Sequence, residues 1–504
     1  MRLLLVLLCF VSASLLAQVA GRLTGSVVDS TGASVPNAKV ALYLPGGKAA
    51  VLTTSTNSAG IFDFIAVRPD LYMLEVESSG FAKYSLPEVK IDPARQASLP
   101  PISLSVMTSS QTVEITGVTQ GVDLASAEVA TTVSQAQITN LPVIGRQITN
   151  LFVTQAGVTQ NNRQNTVING MRPSYSNVMM DGINVQDSVR TNDLDLLPNR
   201  FTIAQIAEFT VSTTNSSPTI GGAASTITLV SPSGTNEYHG SAYWFNRNKY
   251  FSANDWFNNK NGVVRPALNL NQIGATFGGA IIKDKLFFFG NYEAYRFRRQ
   301  SPISNTILTP TARQGILQYR VGNTIQQFDV LKAAGLTISP AIKSILALVP
   351  EVGNNSSRGD GLNTTGYTFN GRSNTNRDNV LGKGDFNLSP KHVFSGTYAW
   401  NKDVADRPVS GSQYTVEPPY YNDIRGTLVS GAWRWTPTPA LTNELRAGFN
   451  YLTAPFKLTQ PAQSQYFLFP SSILGSPFQT SQIGEGRTIH QYNLQNNANW
   501  VHGR

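Results

Sequence analysis

The chain has 504 residues, of which 41% are hydrophobic and only 14% are charged, so it is long enough for several domains. Its formal net charge of +9 is spread along the sequence, and the densest basic cluster (Arg296, Arg298 and Arg299) suits lipid headgroups or loop carboxylates better than a nucleic acid. Cys9 is the single cysteine, which excludes an internal disulfide or a cysteine-rich metal site.

Residues 1–17 have the pattern of a secretory signal peptide. Arg2 precedes the apolar run Leu3–Leu16, which is shorter than a membrane-spanning helix and is followed by small residues. We expect cleavage after Ala17 and export of the mature protein. Since no later stretch is apolar enough for a transmembrane helix, strands are the only elements that could cross a membrane.

Residues 21–106 are predicted to form a small all-β module. Gly25–Val40 is typical of two strands joined by a turn that contains Asp29 and Gly32. The runs GSVVDSTGASVPNAKVAL, TNSAGIFDF and YMLEVESSGF resemble the carboxypeptidase regulatory-like domain, although Asp70 stands where that family usually has glycine. The resemblance implies a transthyretin-like β-sandwich of the carbohydrate-binding-like kind. A spacer with an apolar core and a sugar-binding module are both open.

A linker at 107–117 is predicted to follow this module. It contains one β-prone stretch of five residues, Thr112, Val113, Glu114, Ile115 and Thr116. Such a stretch could add as a strand to the sheet of a partner protein. It could equally be the last strand of the sandwich or part of a plain linker.

The region 118–234 fits neither a sandwich nor a regular series of long strands. Its turns are rich in glycine and asparagine, so we expect a separate α+β domain. The turns singled out are at Gly170, Asp181, Gly182 and Gly221.

From Tyr238 to Trp500, polar and apolar residues alternate in segments of about ten residues, the length that crosses a bilayer at a tilt. The clearest segment, Leu441–Tyr451, places Ala447 on one face and Glu444 and Arg446 on the other. Very short connections such as Lys283–Lys285 alternate with long polar ones such as Gln300–Arg377. This arrangement favours an outer-membrane β-barrel over the alternative, a secreted sandwich or propeller.

Six polar side chains are predicted to face the interior of the barrel. They are Gln272, Thr276, Asn291, Glu293, Glu444 and Arg446. We expect charge changes at Glu444 or Arg446 to be tolerated, and the contacts between the wall and an enclosed domain to be largely polar and hydrated.

Resemblance to a known family is strongest between residues 126 and 299. The runs SAEVATTVSQAQITNLPVIGRQITNLFVTQAGV, INGMRPSYSNVMMDGINVQD, PNRFTIAQIAEFTVSTTNSSPTIGG, SGTNEYHGSAYWFNRN and NQIGATFGGAIIKDKLFFFGNYEAYRFRR resemble TonB-dependent outer-membrane receptors of the Oar-like group. The departures are Ala224, Ser225 and Thr228, where the group usually has two glycines and an asparagine, and Pro232, where lysine is usual.

That resemblance implies a gated uptake pore. A plug at 118–234 would fill a barrel that begins at 235 and continues to 504, an extracellular ligand would bind loops and plug, and TonB would pull on a periplasmic segment. The stretch Thr112–Thr116 is our candidate for that segment. Outer-membrane lipid would surround the barrel, and the amino-terminal domain would lie in the periplasm of a Gram-negative-type bacterium.

No catalytic, cofactor or metal constellation is predicted. The four histidines, His239, His392, His490 and His502, lie far apart and lack a metal-ligand spacing. The tripeptide Arg358–Asp360 matches an adhesion motif within a loop rich in glycine and asparagine, where chance matches are common.

The predicted fold is mainly β: a sandwich, an α+β plug and about eight strands of an antiparallel transmembrane barrel. The predicted function is energised uptake of an unidentified ligand such as a siderophore, glycan or other small nutrient. The alternatives are a surface-structural or adhesion protein anchored by the barrel, and carbohydrate binding by the sandwich. Because the family's barrel has about 22 strands, the sequence is also predicted to be a fragment of a longer gene product.

Overall fold

The computed structural model describes residues 20–500 except for 94, 107–111, 115–117, 120–128, 142, 161–165, 192–193, 195–196, 215–223, 261, 408–413, 415, 439–440 and 460–484. The predicted signal peptide therefore lies outside the described residues. Strands dominate, which confirms the mainly β fold class. Among the helices described, none is long and apolar enough to cross a membrane.

The amino-terminal module is a β-sandwich. Its strands are β1 (Gly21–Asp29), β2 (Lys39–Tyr43), β3 (Ala50–Ser55), β4 (Ile61–Val67), β5 (Asp70–Glu77), β6 (Lys83–Ile91), β7 (Gln96–Ser98), β8 (Ile102–Leu104), β9 (Thr112–Glu114) and β10 (Val118–Thr119). One sheet has the order β4-β1-β7 with β8 also on β1, and the other has the order β10-β6-β5-β2-β3 with β9 also on β6. Alternation along β1 buries Leu23 and Val27 between the sheets.

The end of the sandwich differs from the predicted linker. Thr112–Glu114 pairs in parallel with residues 83–85 of β6, and Val118–Thr119 pairs with residues 88–89 of the same strand. Part of the expected linker is therefore a strand, and the first two residues assigned to the next domain pair with the sandwich. Without these two segments β6 would be an edge strand, and a β-prone segment that pairs with it satisfies its backbone groups.

The middle domain covers residues 129–230. Its strands are β11 (Val129–Ser134), β12 (Val158–Gln160), β13 (Thr166–Ile168), β14 (Ser176–Met180), β15 (Ile183–Asn184), β16 (Glu208–Thr214) and β17 (Ser225–Val230), with helices at Gln135–Asn140 and Thr149–Phe152 and 3-10 turns at Ile144–Arg146, Pro173–Tyr175 and Ile203–Gln205. Five strands form one sheet in the order β11-β16-β17-β14-β15, in which β14 and β17 are parallel. Ser134 and Gln137 form a capping box that starts the first helix.

The remaining residues form a large antiparallel sheet and the segments attached to it. The strands are β18 (His239–Asn248), β19 (Leu268–Ile282), β20 (Leu286–Leu308), β21 (Ile316–Val321), β22 (Thr324–Asp329), β23 (Thr364–Arg372), β24 (Thr375–Ser389), β25 (His392–Asp406), β26 (Tyr420–Thr438), β27 (Leu441–Thr453), β28 (Phe456–Leu458) and β29 (Thr488–Trp500). Eight of them follow one another in the order β18-β19-β20-β24-β25-β26-β27-β29, while β23 pairs with β20 and β28 with β26.

The connections of the large sheet are short at one end and long at the other. At the short end, Asp284 adopts a φ of 63° in the turn between β19 and β20, and only Pro390 and Lys391 separate β24 from β25. At the long end, the stretch expected to be a polar loop, Gln300–Arg377, is largely folded. It continues β20, adds the hairpin β21–β22 and strand β23, and contains helices at Pro310–Arg313, Val330–Ala334 and Pro340–Ala347.

Alternation gives the large sheet two different faces. The inner face contacts the middle domain, and the outer face carries apolar side chains such as Ala447, which lies between Gly431 and Leu494 of the neighbouring strands. Aromatic rings stack on the outer face near the short turns, with Phe394 and Trp433 centroids 6.1 Å apart. A second aromatic group, around Tyr451, follows roughly 20 Å further along β27. Two aromatic bands flanking an apolar band are typical of an outer-membrane barrel.

Candidate functional site

The tight turn between β14 and β15 brings the middle domain onto the inner face. Asp181 and Gly182 occupy it with φ of 45° and 79°, the left-handed conformation that glycine adopts freely and aspartate tolerates. A Cβ on Gly182 would lie 2.7 Å from Cδ of Arg446. The turn predicted here is therefore also a close contact with the sheet, and this contact requires glycine.

The Asp181 carboxylate is buried among donors from both sides of the interface. Within its own domain it accepts hydrogen bonds from the Ser231 amide at 3.0 Å and from Ser231 Oγ at 2.5 Å. From the sheet, Thr397 Oγ1 donates at 2.8 Å, and Lys383 Nζ lies 3.8 Å away. Burial alone would raise the pKa of Asp181, but Lys383 and these hydrogen bonds hold it below its ordinary value.

Arg446 of β27 contacts the same turn from the large sheet, which we call the wall. Its Nη1 donates to the Asp181 carbonyl, and its Nη2 donates to Glu444 Oε1 at 2.8 Å. Gln495 of β29 donates to the Gly182 carbonyl at 3.1 Å. Ser430 Oγ of β26 also donates to the Asp181 carbonyl, at 3.5 Å. Five strands of the sheet, β24, β25, β26, β27 and β29, therefore contact one turn of the middle domain.

The structure removes the basis for the expected tolerance at Glu444 and Arg446. Both side chains lie on the inner face, but the middle domain covers them, so that only 6% of Glu444 and 8% of Arg446 is exposed. They compensate each other as a buried ion pair. A charge change at either position would leave the other without its partner in a largely buried site.

A second polar cluster contains two of the other predicted residues. Gln272 Nε2 donates to Glu293 Oε1 at 2.7 Å, and the Tyr243 hydroxyl donates to Glu293 Oε2 at 2.5 Å. Arg146 of the middle domain lies 3.7 Å from the same Oε2 and 4.6 Å from the centroid of the Tyr243 ring. This cluster joins the first strands of the large sheet to the middle domain.

The last two predicted inner-face residues pair within the sheet. Asn291 is buried and donates to the Ala275 carbonyl at 3.1 Å. Thr276 Oγ1 lies 2.9 Å from Ser241 Oγ and is half-buried. The structure does not bring either of them to the turn at Asp181.

Sequence reasoning missed further ion pairs between the middle domain and the wall. Arg200 lies 3.0 Å from Asp403 of β25, which also binds Arg377 of β24 at 3.1 Å. Arg487, which precedes β29, lies 2.6 Å from the fully buried carboxylate of Asp187. The sequence does contain one indication of these pairs. Asp403 is a charge at an inner-face position of an alternating strand, and such a charge needs a partner once another domain buries it.

The interface also has an apolar part, which the prediction of a largely polar and hydrated contact did not include. Phe289, Leu381, Ala399 and Leu428 of the large sheet belong to the same buried cluster as the core of the middle domain. The inner face is therefore mixed, with an apolar patch set among buried ion pairs.

The other singled-out turn residues do not contribute to this site. Gly170 has a φ of 72° and follows Asn169, whose φ is 49°, so the pair forms a turn, and a Cβ on Gly170 would meet nothing within 4 Å. Gly221 lies outside the described residues. Of the stretch Thr112–Thr116, the first three residues form β9, and Ile115 and Thr116 lie outside the described residues.

The described histidines are separated by the fold as they are in the sequence. His392 stacks on Trp433 with centroids 6.0 Å apart, and His490 lies 5.0 Å from Tyr451. His239 opens β18 and is exposed, and His502 lies outside the described part. Within that part, no group of three His, Cys, Asp or Glu side chains is placed to hold a metal ion.

The Arg358–Asp360 tripeptide is engaged within its own loop. Asp360 Oδ1 accepts from the amides of Leu362, Asn363 and Thr364 at 2.9, 2.8 and 2.7 Å. Burial opposes ionisation, but these hydrogen bonds hold the pKa of Asp360 far below its ordinary value. Arg358 donates to the Ser304 carbonyl. Both charged side chains therefore help to organise the loop, and the tripeptide is exposed.

Comparison with known families gives two matches. A family model described as outer membrane beta barrel domain matches residues 230–504. A model described as carboxypeptidase regulatory-like domain matches residues 22–105.

Individual relatives are more distant. The TonB-dependent transporter Oar of Myxococcus xanthus is 24% identical over 257 residues, which cover 48% of this chain and only 23% of that relative. Among solved structures, the outer membrane transporter YddB of Escherichia coli is 11% identical with a TM-score of 0.46, covering 74% of this chain and 45% of its own. A mutant ferric enterobactin receptor of Pseudomonas aeruginosa is 11% identical with a TM-score of 0.42, covering 73% and 46%.

Proposed function

Because the chain belongs to the outer membrane beta barrel family, and its place is therefore the outer membrane, we propose that it is a plugged, TonB-dependent transporter for a small extracellular ligand. The observation that carries the proposal is the buried turn at Asp181 and Gly182, which five strands of the wall hold by directed polar contacts. A pore wall needs such contacts only if it encloses a second domain. The middle domain is then the plug, and the large sheet is part of the barrel.

The ligand belongs to the class of small nutrients that a general porin does not concentrate, such as a siderophore or a glycan. It would first meet the folded connection between β20 and β24, which carries the hairpin β21–β22 and three helices at the long end of the sheet. The match to the Oar transporter supports the transporter class. Neither adhesion nor sugar binding by the sandwich is favoured by a specific contact among the described residues, and sugar binding stays a prediction.

Transport is tested by opening the pore. Deleting residues 21–230, which removes sandwich and plug together, should leave an assembled wall that admits nitrocefin to a periplasmic β-lactamase, because nothing then fills the lumen. Entry should no longer depend on TonB. The intact protein, expressed to the same level, is the control. A deletion variant that is assembled and heat-modifiable in the outer membrane but admits no nitrocefin would contradict the proposal.

Energisation is proposed to act through Thr112–Thr116. Ile115→Pro removes a backbone N–H, so the segment should lose its ability to add as a strand to TonB, while Ile115→Thr keeps the β-propensity and should bind. The measurement is binding of the purified periplasmic domain of TonB to the detergent-solubilised protein. Equal binding by the two variants, or no binding by the unmodified protein, would exclude this segment.

A further inference from the structure

The sandwich docks on the large sheet at the end that carries the short turns. The Lys48 amide lies 3.4 Å from Asp284 in the turn between β19 and β20, and a Cβ on Gly47 would lie 2.7 Å from Oδ1 of the same residue. Phe287 of β20 is fully buried in a cluster with the apolar core of the sandwich. The sandwich is therefore packed against the wall, beyond what a spacer requires.

The end of β4 and the loop between β4 and β5 pack against the inner face of the large sheet. Arg434, on the inner face of β26, donates from Nη1 to the Ala66 carbonyl at 2.9 Å. Arg68 lies 3.3 Å from Asp385 of β24 and 2.7 Å from Asp70. Since the Asp385 side chain is only 1% exposed, this is a buried ion pair between the sandwich and the pore wall.

The charges at this contact are fixed, and the sandwich also binds the plug. Burial alone would lower the pKa of Arg68, but Asp385 and Asp70 raise it above its ordinary value, so the guanidinium stays charged. On the other side of the loop, Lys90 of β6 lies 2.5 Å from Glu208 of β16. The sandwich is therefore tied to the wall and to the plug by separate ion pairs.

The same loop lines the free space beside the plug. A cavity of about 800 Å³ lies between the plug and the wall formed by β18–β20 and β24. Its lining includes Arg68 and Leu71 from the sandwich, Ser134 and Arg146 from the plug, and Tyr243 from the wall. The β4–β5 loop therefore lies beside the free space that a solute passing the plug would use.

We infer that the sandwich is a second stopper of the pore, which closes the periplasmic mouth with its β4–β5 loop and must undock before a solute can leave. The inference rests on the proposed transport function. Arg68 with Asp385, and Arg434 with the Ala66 carbonyl, form the latch. Because β9 is a strand of this sandwich, a pull on Thr112–Thr116 acts on the second stopper before it reaches the plug.

The test is a covalent lock between the sandwich and the wall. Gly47→Cys with Asp284→Cys places two cysteines within reach of each other, and Cys9 is the only other cysteine in the sequence. The pair is introduced into the whole protein together with Arg446→Ala, which loosens the plug, and ion conductance is recorded in planar bilayers in potassium chloride. Oxidation should lower the conductance about tenfold, because it depletes the undocked state, and reduction should restore it.

Matched variants separate the outcomes. Each single cysteine should be insensitive to oxidation, and Arg68→Ala should raise the conductance, whereas Arg22→Ala, which removes a pair with Asp63 inside the sandwich, should not. Failure of the disulfide to form under oxidant, or equal conductance in the locked and reduced states, overturns the second stopper while leaving the plugged pore intact. Asp181→Asn serves as a second loosened background, and absence of conductance in both reduced backgrounds overturns the stopper together with the pore.

Discussion

Replacing Arg446 with alanine is expected to destabilise the seated plug by roughly 3–5 kcal/mol, because it breaks a buried ion pair from one side only. Glu444 would keep its charge in a site where 6% of the residue is exposed, and the Asp181 carbonyl would lose the donor that approaches it from β27. The free energy of unfolding in urea, measured on the protein in lipid vesicles, should fall by this amount. Trypsin should also cleave the plug faster.

The sheet contains a matched control on its outer face. Arg425 pairs with Asp423, two residues earlier in its strand, as Arg446 pairs with Glu444, but half of the Arg425 side chain is exposed. Lys457 Nζ also lies 2.5 Å from Asp423, so Asp423 keeps a partner when Arg425 is removed. Arg425→Ala should therefore cost only about 0–1 kcal/mol. Equal losses for the two arginines would mean that burial against the plug does not decide the energetics of this pair.

Ala447→Arg is expected to destabilise the sheet in lipid by roughly 2–4 kcal/mol, because it places a charge at the middle of the outer face. Ala447 is exposed on that face, and its neighbours Gly431 and Leu494 offer no counter-charge. The expected result is a lower folded fraction at a given urea concentration in vesicles, with the unmodified protein as reference.

A position on the same strand but closer to the membrane surface supplies the control for that substitution. Asn443 lies four residues earlier on the same strand and face, opposite Trp435 in the band near the short turns. Asn443→Arg can extend to the headgroups and should cost about 0–1 kcal/mol. If the two arginines destabilise the protein equally, Ala447 does not face the hydrocarbon at mid-membrane.

Periodicity predicted most of the wall. Leu441–Tyr451 alternates with Asn443 as its one polar interruption, so its two faces could be assigned from the sequence, and the short hairpin at Lys283–Lys285 indicated the direction of the next strand. The extent of β20, by contrast, was underestimated. Its second part, from Gln300 on, lacks the apolar alternation and pairs with β23.

The contacts between domains could not be predicted from the sequence. Asp181 was identified as a turn residue, but its partners Lys383 and Thr397 lie more than two hundred residues away, and nothing local to either links them to that turn. The ion pair between Arg68 of the sandwich and Asp385 of the wall could not be predicted for the same reason. Ion pairs between distant segments depend on how rigid domains dock, which the pattern of one strand does not encode.

The pairing of the strands also sets an order of assembly. From β24 to β27 each strand pairs with the next one along the chain, so these hairpins close short loops and can form early. The middle domain must instead join β14 to β17, where Ser176 meets Ser225 across 49 residues, and we expect it to close later. The inner face would then be hydrated in the interval, and Glu444, Asp403 and their neighbours are groups that water solvates well. The charged side chains of the wall would keep the inner face hydrated until the middle domain binds, and the same charges form ion pairs once the interface is closed.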